Sequence, residues 1–149
     1  MKCKVKPQIV DVYYPFRNKE GVLCPGIKPL SRSISEVCTT MQSPSLKEIV
    51  DKVVAATEAG DKEKKASLKK ELPAVTWCGT TNGKTRAASH TEPTQLVMVD
   101  IDHVENIDEK VPEISEILTK DDDFMSRLLI FHITPSGAGF RLVFYAWED

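Results

Sequence analysis

Apolar positions along the chain follow two spacings, and each predicts its own kind of element. Short runs rich in Val, Ile and aromatic residues read as strands. They are Ile9 to Phe16, Ala74 to Cys78, Leu96 to Asp102, Leu128 to Thr134 and Phe140 to Ala146. Helical spacing joins Leu46, Ile49, Val50, Val53 and Val54, behind a Ser45-Leu46-Lys47-Glu48 stretch of capping-box form. Gly60-Asp61 ends that helix and can cap the next, an exposed basic helix over Asp61 to Leu72 stopped by Pro73. Asp108 to Thr119 reads as a third helix, with Val111, Ile114, Ile117 and Leu118 inward and Pro112 in its first turn. Asn18 to Pro29 and Gly79 to Ser89 read as loops. So does Asp121-Asp122-Asp123, because carboxylates behind a helix C-terminus oppose its dipole.

The segment from Asp102 to Leu128 has room for a helical crossover between two strands of one sheet. The order strand, helix, strand, hairpin, strand gives an α+β fold, the first half of a ferredoxin-like or RRM-like layout (β-α-β-β). Two regions are expected. Residues 1–72 form an N-terminal strand plus helical extension, and residues 73–149 form a core that stops before its last αβ unit. In that arrangement the Phe140–Ala146 strand lies at an unpaired sheet edge.

Composition narrows the partners. A chain of 149 residues suits one domain with a small extension. The net charge of −2 supplies no global basic field, so any nucleic-acid contact must rest on a local patch. The lysines from Lys62 to Lys70 are either a solvated face or a phosphate-contact surface. Cys3, Cys24, Cys38 and Cys78 are widely spaced with no C-x-x-C pair. That speaks against a Cys₄ zinc site and for free thiols in a reducing cytoplasm. No apolar run reaches membrane length, so no membrane partner is expected.

The candidate chemistry begins where four apolar residues run into Asp100-Ile101-Asp102. Alternate side chains of a strand share a face, which places the two carboxylates together with Cα atoms roughly 6–7 Å apart. Uncompensated, such a pair repels; around a hard cation it is a normal half-shell, since Mg²⁺ is held by one or two carboxylates plus substrate phosphates. The plain alternative is a solvated strand end. Pro135-Ser136-Gly137-Ala138-Gly139 then forms a turn with two glycines, and Arg141 opens the next strand. Glycines let an anion approach backbone, and Arg can clamp it; the alternative is a plain hairpin. Gly79-Thr80-Thr81-Asn82-Gly83-Lys84-Thr85 imitates a P-loop with three residues between the glycines where the motif needs four. No apolar helical period follows it, yet Lys84 and Arg86 could still meet phosphate. His132 is either a satisfied core residue or a neighbour of the site across the sheet.

With these motifs on the page, Asp-Ile-Asp followed by Thr-Pro-Ser-Gly-Ala-Gly-Phe-Arg resembles the first two motifs of the archaeo-eukaryotic primase–polymerase superfamily, and more narrowly the VirE N-terminal domain family. Leu72-Pro73-Ala74-Val75 ahead of Gly79 adds to the likeness, which spans about Leu72 to Phe144. The resemblance implies template-directed nucleotidyl transfer in a replication protein of a mobile element. Asp100 and Asp102 would hold Mg²⁺ or Mn²⁺. Ser136, Gly137, Gly139 and Arg141, with Lys84, would bind a nucleoside triphosphate. DNA would be a partner, with a C-terminal helicase-like domain in the full-length protein. Arg141 stands near where the superfamily's motif carries His, and its third acidic motif has no evident place, so little polymerisation by these 149 residues is expected. Two rivals stay open: a non-catalytic nucleotide or DNA-binding module, and another D-x-D metal-dependent enzyme such as a nuclease.

Overall fold

A computed structural model describes residues 9–85 and 87–146. In chain order the elements are β1 (Ile9–Tyr13), β2 (Phe16–Arg17), β3 (Leu23–Cys24), β4 (Leu30–Ser33), α1 (Ile34–Met41), α2 (Pro44–Glu58), α3 (Lys62–Lys69) and β5 (Ala74–Thr76). They continue with β6 (Gly79–Thr80), β7 (Glu92–Pro93), β8 (Leu96–Asp102), α4 (Ile107–Thr119), α5 (Asp122–Arg127), β9 (Leu128–Ile133) and β10 (Gly139–Tyr145). The fold is mixed α and β, built on small antiparallel sheets. One three-stranded sheet runs β4-β1-β5 and another β8-β10-β9. Cys3, Arg86 and Asp149 lie outside the described residues.

Local chemistry explains the helices, including one that periodicity misses. Ser33 and Glu36 close a reciprocal capping box on α1: the Ser33 hydroxyl accepts from the Glu36 amide, and the Glu36 carboxylate accepts from the Ser33 amide at 2.7 Å. The box expected at Ser45 is absent, because α2 starts at Pro44 with Ser43 as its N-cap. Proline's fixed φ suits a first helical position and sets the start earlier. Gly60, at φ +68, ends α2, and the Asp61 carboxylate caps α3 by accepting from the Lys64 amide. Pro112 sits inside α4 rather than in its first turn. The Asp121 run is no loop. Asp121 caps α5 by accepting from the Phe124 amide at 2.9 Å, so these carboxylates open a second helix where its dipole favours them.

The registers decide which side chains meet. Arg141 of β10 lies opposite Asp100 of β8 on one side and His132 of β9 on the other. Val143 lies between Met98 and Ile130 in the same way. Direct partners share a face, so one face of this sheet carries Leu96, Met98, Val143 and Ile130 at one end and Asp100, Asp102, Arg141 and His132 at the other. The apolar end joins Val10, Val12, Val37 and Trp77 in the main core. On the opposite face Phe144 and Phe124 of α5 stack at 5.2 Å. Burying the apolar end against β1 and α1 fixes the sheet, and the polar end is thereby held at the margin of the core.

β10 is the central strand of its sheet, with β8 and β9 at the edges. This corrects the expectation of an unpaired edge at Phe140–Ala146. A sequence shows that a segment is a strand but not which strands flank it. On edge strand β8 the face opposite the acid pair carries Val97, Val99 and Ile101, each more than a third exposed.

Candidate functional site

The acid pair and the arginine come from neighbouring strands and meet. Arg141 donates from Nε to Asp100 Oδ1 at 2.6 Å and from Nη2 to Asp100 Oδ2 at 2.8 Å. This is a two-point fork, the arrangement that matches a planar guanidinium to a carboxylate. The guanidinium beside Asp100 holds its carboxyl below the usual carboxylate range, and the same contact raises Arg141 further. Arginine has five N–H donors; with two on Asp100, the rest remain for an anion. Asp102 shares the face, one pleat along, and its charge also favours the Arg141 cation.

The Ser136–Gly139 turn abuts this pair. Gly137 has φ +70, and its amide donates to the Thr134 carbonyl at 2.9 Å. A side chain at Gly137 would press on Val54 of α2. A Cβ at Gly139 would lie 2.6 Å from the Ile101 carbonyl oxygen and 3.2 Å from Asp102 Oδ1. Gly139 therefore lets β10 close onto β8 exactly where Asp102 sits. The space beside each glycine is taken up by protein. The Ser136 hydroxyl pairs with that of Thr134 at 3.3 Å.

Lys84 is not brought to this cluster by any described contact. It lies in a turn beside β6, where the Thr81 hydroxyl bonds the Lys84 carbonyl at 3.0 Å. That turn is pinned from below by Asp11, which is fully buried and accepts from the Thr81 amide at 2.6 Å and the Thr81 hydroxyl at 2.8 Å. Tyr13 joins the same hydroxyl at 3.0 Å. The P-loop-like spelling thus folds as a turn organised by a buried carboxylate, with a 3-10 turn at Ala88–His90 after it and, among the described residues, no α-helix until α4.

His132 completes the row across the sheet. Its Nδ1 lies 2.7 Å from the Ile133 carbonyl oxygen, which can only accept, so Nδ1 carries the proton. Burial pushes the imidazole below its usual value of 6.5, with the Arg141 cation adding to the effect. Nε2 then presents a lone pair, and it is buried without a partner among the described residues. A cavity of about 620 Å³ opens at this point, walled by Arg141, His132, Phe131, Trp77 and residues of α1 and α2. The cavity was not legible beforehand, because it depends on how β1, α1 and α2 lie against β9 and β10; the row rests on the register of β8, β10 and β9. Alternation did place His132 on one strand face, but only the register put that face beside Arg141.

A pH prediction follows from the two depressed groups. A folded-state pKa below the unfolded value means the unfolded chain binds more protons, so stability is present above the unfolded value and is lost as pH falls toward the folded one. For His132 that loss begins below its ordinary value of 6.5, and for Asp100 below 3.8. Urea unfolding at about pH 7 and about pH 5 should show the wild type losing stability on acidification. His132→Gln should flatten that dependence over the same interval, and an unchanged slope would assign the titration to another group.

The donor set for a divalent cation is two carboxylates on one face. Among the described residues, no group of three or more His, Cys, Asp or Glu could hold a metal ion. Both oxygens of Asp100, one of the two carboxylates, already accept from Arg141.

Fold and site together define a small mixed α and β domain with an acid–arginine pair at one sheet margin. The family model for the BT4734-like, N-terminal domain matches residues 67–149, more than half of the chain, and the chain belongs to that family. This corrects the expectation drawn from the two motifs: the matching model is not a VirE N-terminal or primase–polymerase family. Asp-x-Asp and a Ser-Gly-x-Gly turn are short enough to recur in separate families. No curated protein and no solved structure matches the chain. Among the described residues no helix is long and apolar enough to cross a membrane.

Proposed function

We propose that this domain binds a nucleoside triphosphate with a divalent cation and takes part in nucleotidyl transfer, with DNA as the acceptor. One observation carries the reading: Asp100, Asp102 and Arg141 share a face beside a cavity of ligand size. Asp100 and Asp102 would hold Mg²⁺ or Mn²⁺, which supplies charge neutralisation at the phosphates. Arg141 donates its remaining N–H groups to phosphate oxygens, and the Ser136 hydroxyl adds a donor at the turn. Asp100 keeps the guanidinium plane fixed meanwhile, so little side-chain ordering is required on binding.

The sheet order supports a finer fold reading. A first strand, a helical crossover, then β9 and β10 with β10 inserted between the other two is the order of the first three strands of a ferredoxin-like layout. The described cysteines, Cys24, Cys38 and Cys78, are free thiols, which supports a reducing compartment such as the cytoplasm.

A second reading, a nucleotide-binding module without catalysis, is favoured by the same Asp100–Arg141 fork. It already satisfies one of the two acids, and no third acid joins them among the described residues. Incubation with labelled nucleoside triphosphate, primed single-stranded DNA and Mn²⁺ separates the two. Label transfer lost in Asp102→Asn supports transfer; metal-dependent nucleotide binding without transfer supports the binding module.

A further inference from the structure

The net charge of −2 hides a local excess of cations. Between Tyr14 and Pro29, Arg17, Lys19 and Lys28 stand against a single acid, Glu20. All three cations are exposed, and Lys19 and Lys28 make no ion pair among the described residues. The same segment holds apolar side chains in solvent. Tyr14 is 36% and Phe16 43% exposed, and Val22 and Ile27 are about half exposed. This is the β2–β3 hairpin, and its tip is tightly bonded. Asn18 Oδ1 accepts from the amides of Glu20 and Val22, and Arg17 Nη1 donates to the Gly21 carbonyl at 3.0 Å. At the hairpin base Gly26 lies against the Tyr14 backbone, where a Cβ would come within 2.7 Å of the Tyr14 carbonyl oxygen. Val12 pairs with Leu30 just before this point, so the returning chain brings Lys28 alongside Tyr14. Tyr14 in turn lines the cavity that Arg141 walls. The hairpin therefore springs from the rim of that cavity.

We propose that this hairpin is a platform for single-stranded nucleic acid, with Phe16 and Tyr14 stacking on bases and Arg17, Lys19 and Lys28 meeting backbone phosphates. Surfaces of this kind combine aromatic rings with cations, because every base has a π-face and every nucleotide carries a charge. A purely apolar protein partner would leave the three cations unused. An anionic membrane would meet the same side chains, and continuity with the cavity decides between the two. A strand lying across Tyr14 leads to Arg141 and the acid pair, whereas a bilayer has no use for that site. The inference rests on the nucleotidyl-transfer reading for this last step and names the surface that holds the DNA acceptor. The hydrogen bonds within the tip fix its shape beforehand, which lowers the ordering cost of binding.

Fluorescence anisotropy of a labelled oligothymidylate of about 12 nucleotides, at several salt concentrations and without metal or nucleotide, tests the platform. Wild type is expected to bind it, and Phe16→Ala to bind about tenfold more weakly with the same salt dependence, because stacking carries no charge. Lys19→Gln/Lys28→Gln should weaken binding and also reduce the slope of log Kd against log salt by about 1.4, at about 0.7 per phosphate contact on a single strand. All three side chains are exposed, so both variants should unfold in urea as wild type does. Wild-type affinity in either variant, or no binding by wild type, overturns the platform. Metal-dependent nucleotide binding, measured on the same proteins, judges the acid–arginine site separately. Its presence leaves that site standing when the platform fails, and its absence beside intact oligonucleotide binding removes the site and keeps the platform. Binding to phosphatidylserine vesicles in place of the oligonucleotide, lost in Phe16→Ala, would make the hairpin a membrane contact and overturn the proposal.

Discussion

Arg141→Met is expected to weaken binding of a nucleoside triphosphate with Mn²⁺ by about 10-fold to 100-fold, since a hydrogen bond to a charged group contributes roughly 1.5–3 kcal/mol. The fold should lose only about 1 kcal/mol, because both partners of the Asp100–Arg141 pair keep about 30% of their side-chain surface in solvent. Arg141→Lys should fall between the two. It keeps the charge but cannot hold Asp100 and a phosphate oxygen through one planar fork. Equilibrium titration alongside urea unfolding reads both quantities. A large stability loss with unchanged affinity would make the pair a structural tie and nothing more.

Asp11→Ala should be the most destabilising substitution at a polar residue in the described structure. The carboxylate is fully buried, and its loss leaves the Thr81 amide without its partner, while the Thr81 hydroxyl keeps only Lys84 and Tyr13. Breaking a buried, fully bonded charged group costs about 3 kcal/mol, or about 10 °C in Tm for a domain of this size. Asp11→Asn retains an acceptor oxygen and should cost less. The loss should appear first around residues 79–85, as faster hydrogen exchange at Thr81, because this carboxylate is what ties that turn to β1. Wild-type exchange at Thr81 in Asp11→Ala, with an unchanged Tm, would contradict this account.

The strands that build the site were legible because each is a β-rich run: Leu96 to Asp102, Leu128 to Ile133 and Gly139 to Tyr145 match the expected segments within a residue or two. Alternation within β8 also placed Asp100 and Asp102 on one face. What alternation cannot supply is adjacency. Whether Arg141 met Asp100, and whether β10 lay inside or at the edge, depended on pairing between segments tens of residues apart. α1 was missed because its eight residues are too few for a periodic signal, although Ser33 and Glu36 spell the capping box that starts it. The Asp121 run was read as a loop behind the preceding helix, whereas it opens the next one. The family was misassigned for a related reason: two short motifs describe a local geometry that unrelated domains also adopt, whereas the family model weighs residues 67–149 together.

The most direct test of the site is a calorimetric titration of Mn²⁺ into the protein with and without a deoxynucleoside triphosphate, for wild type and for the Asp100→Asn/Asp102→Asn double variant. Two carboxylates alone make a weak site that phosphate oxygens complete. Weak binding of Mn²⁺ alone, tighter binding with the nucleotide, and loss of that enhancement in the double variant are the predicted result. Enhancement that persists in the double variant would place the cation elsewhere and contradict the assignment.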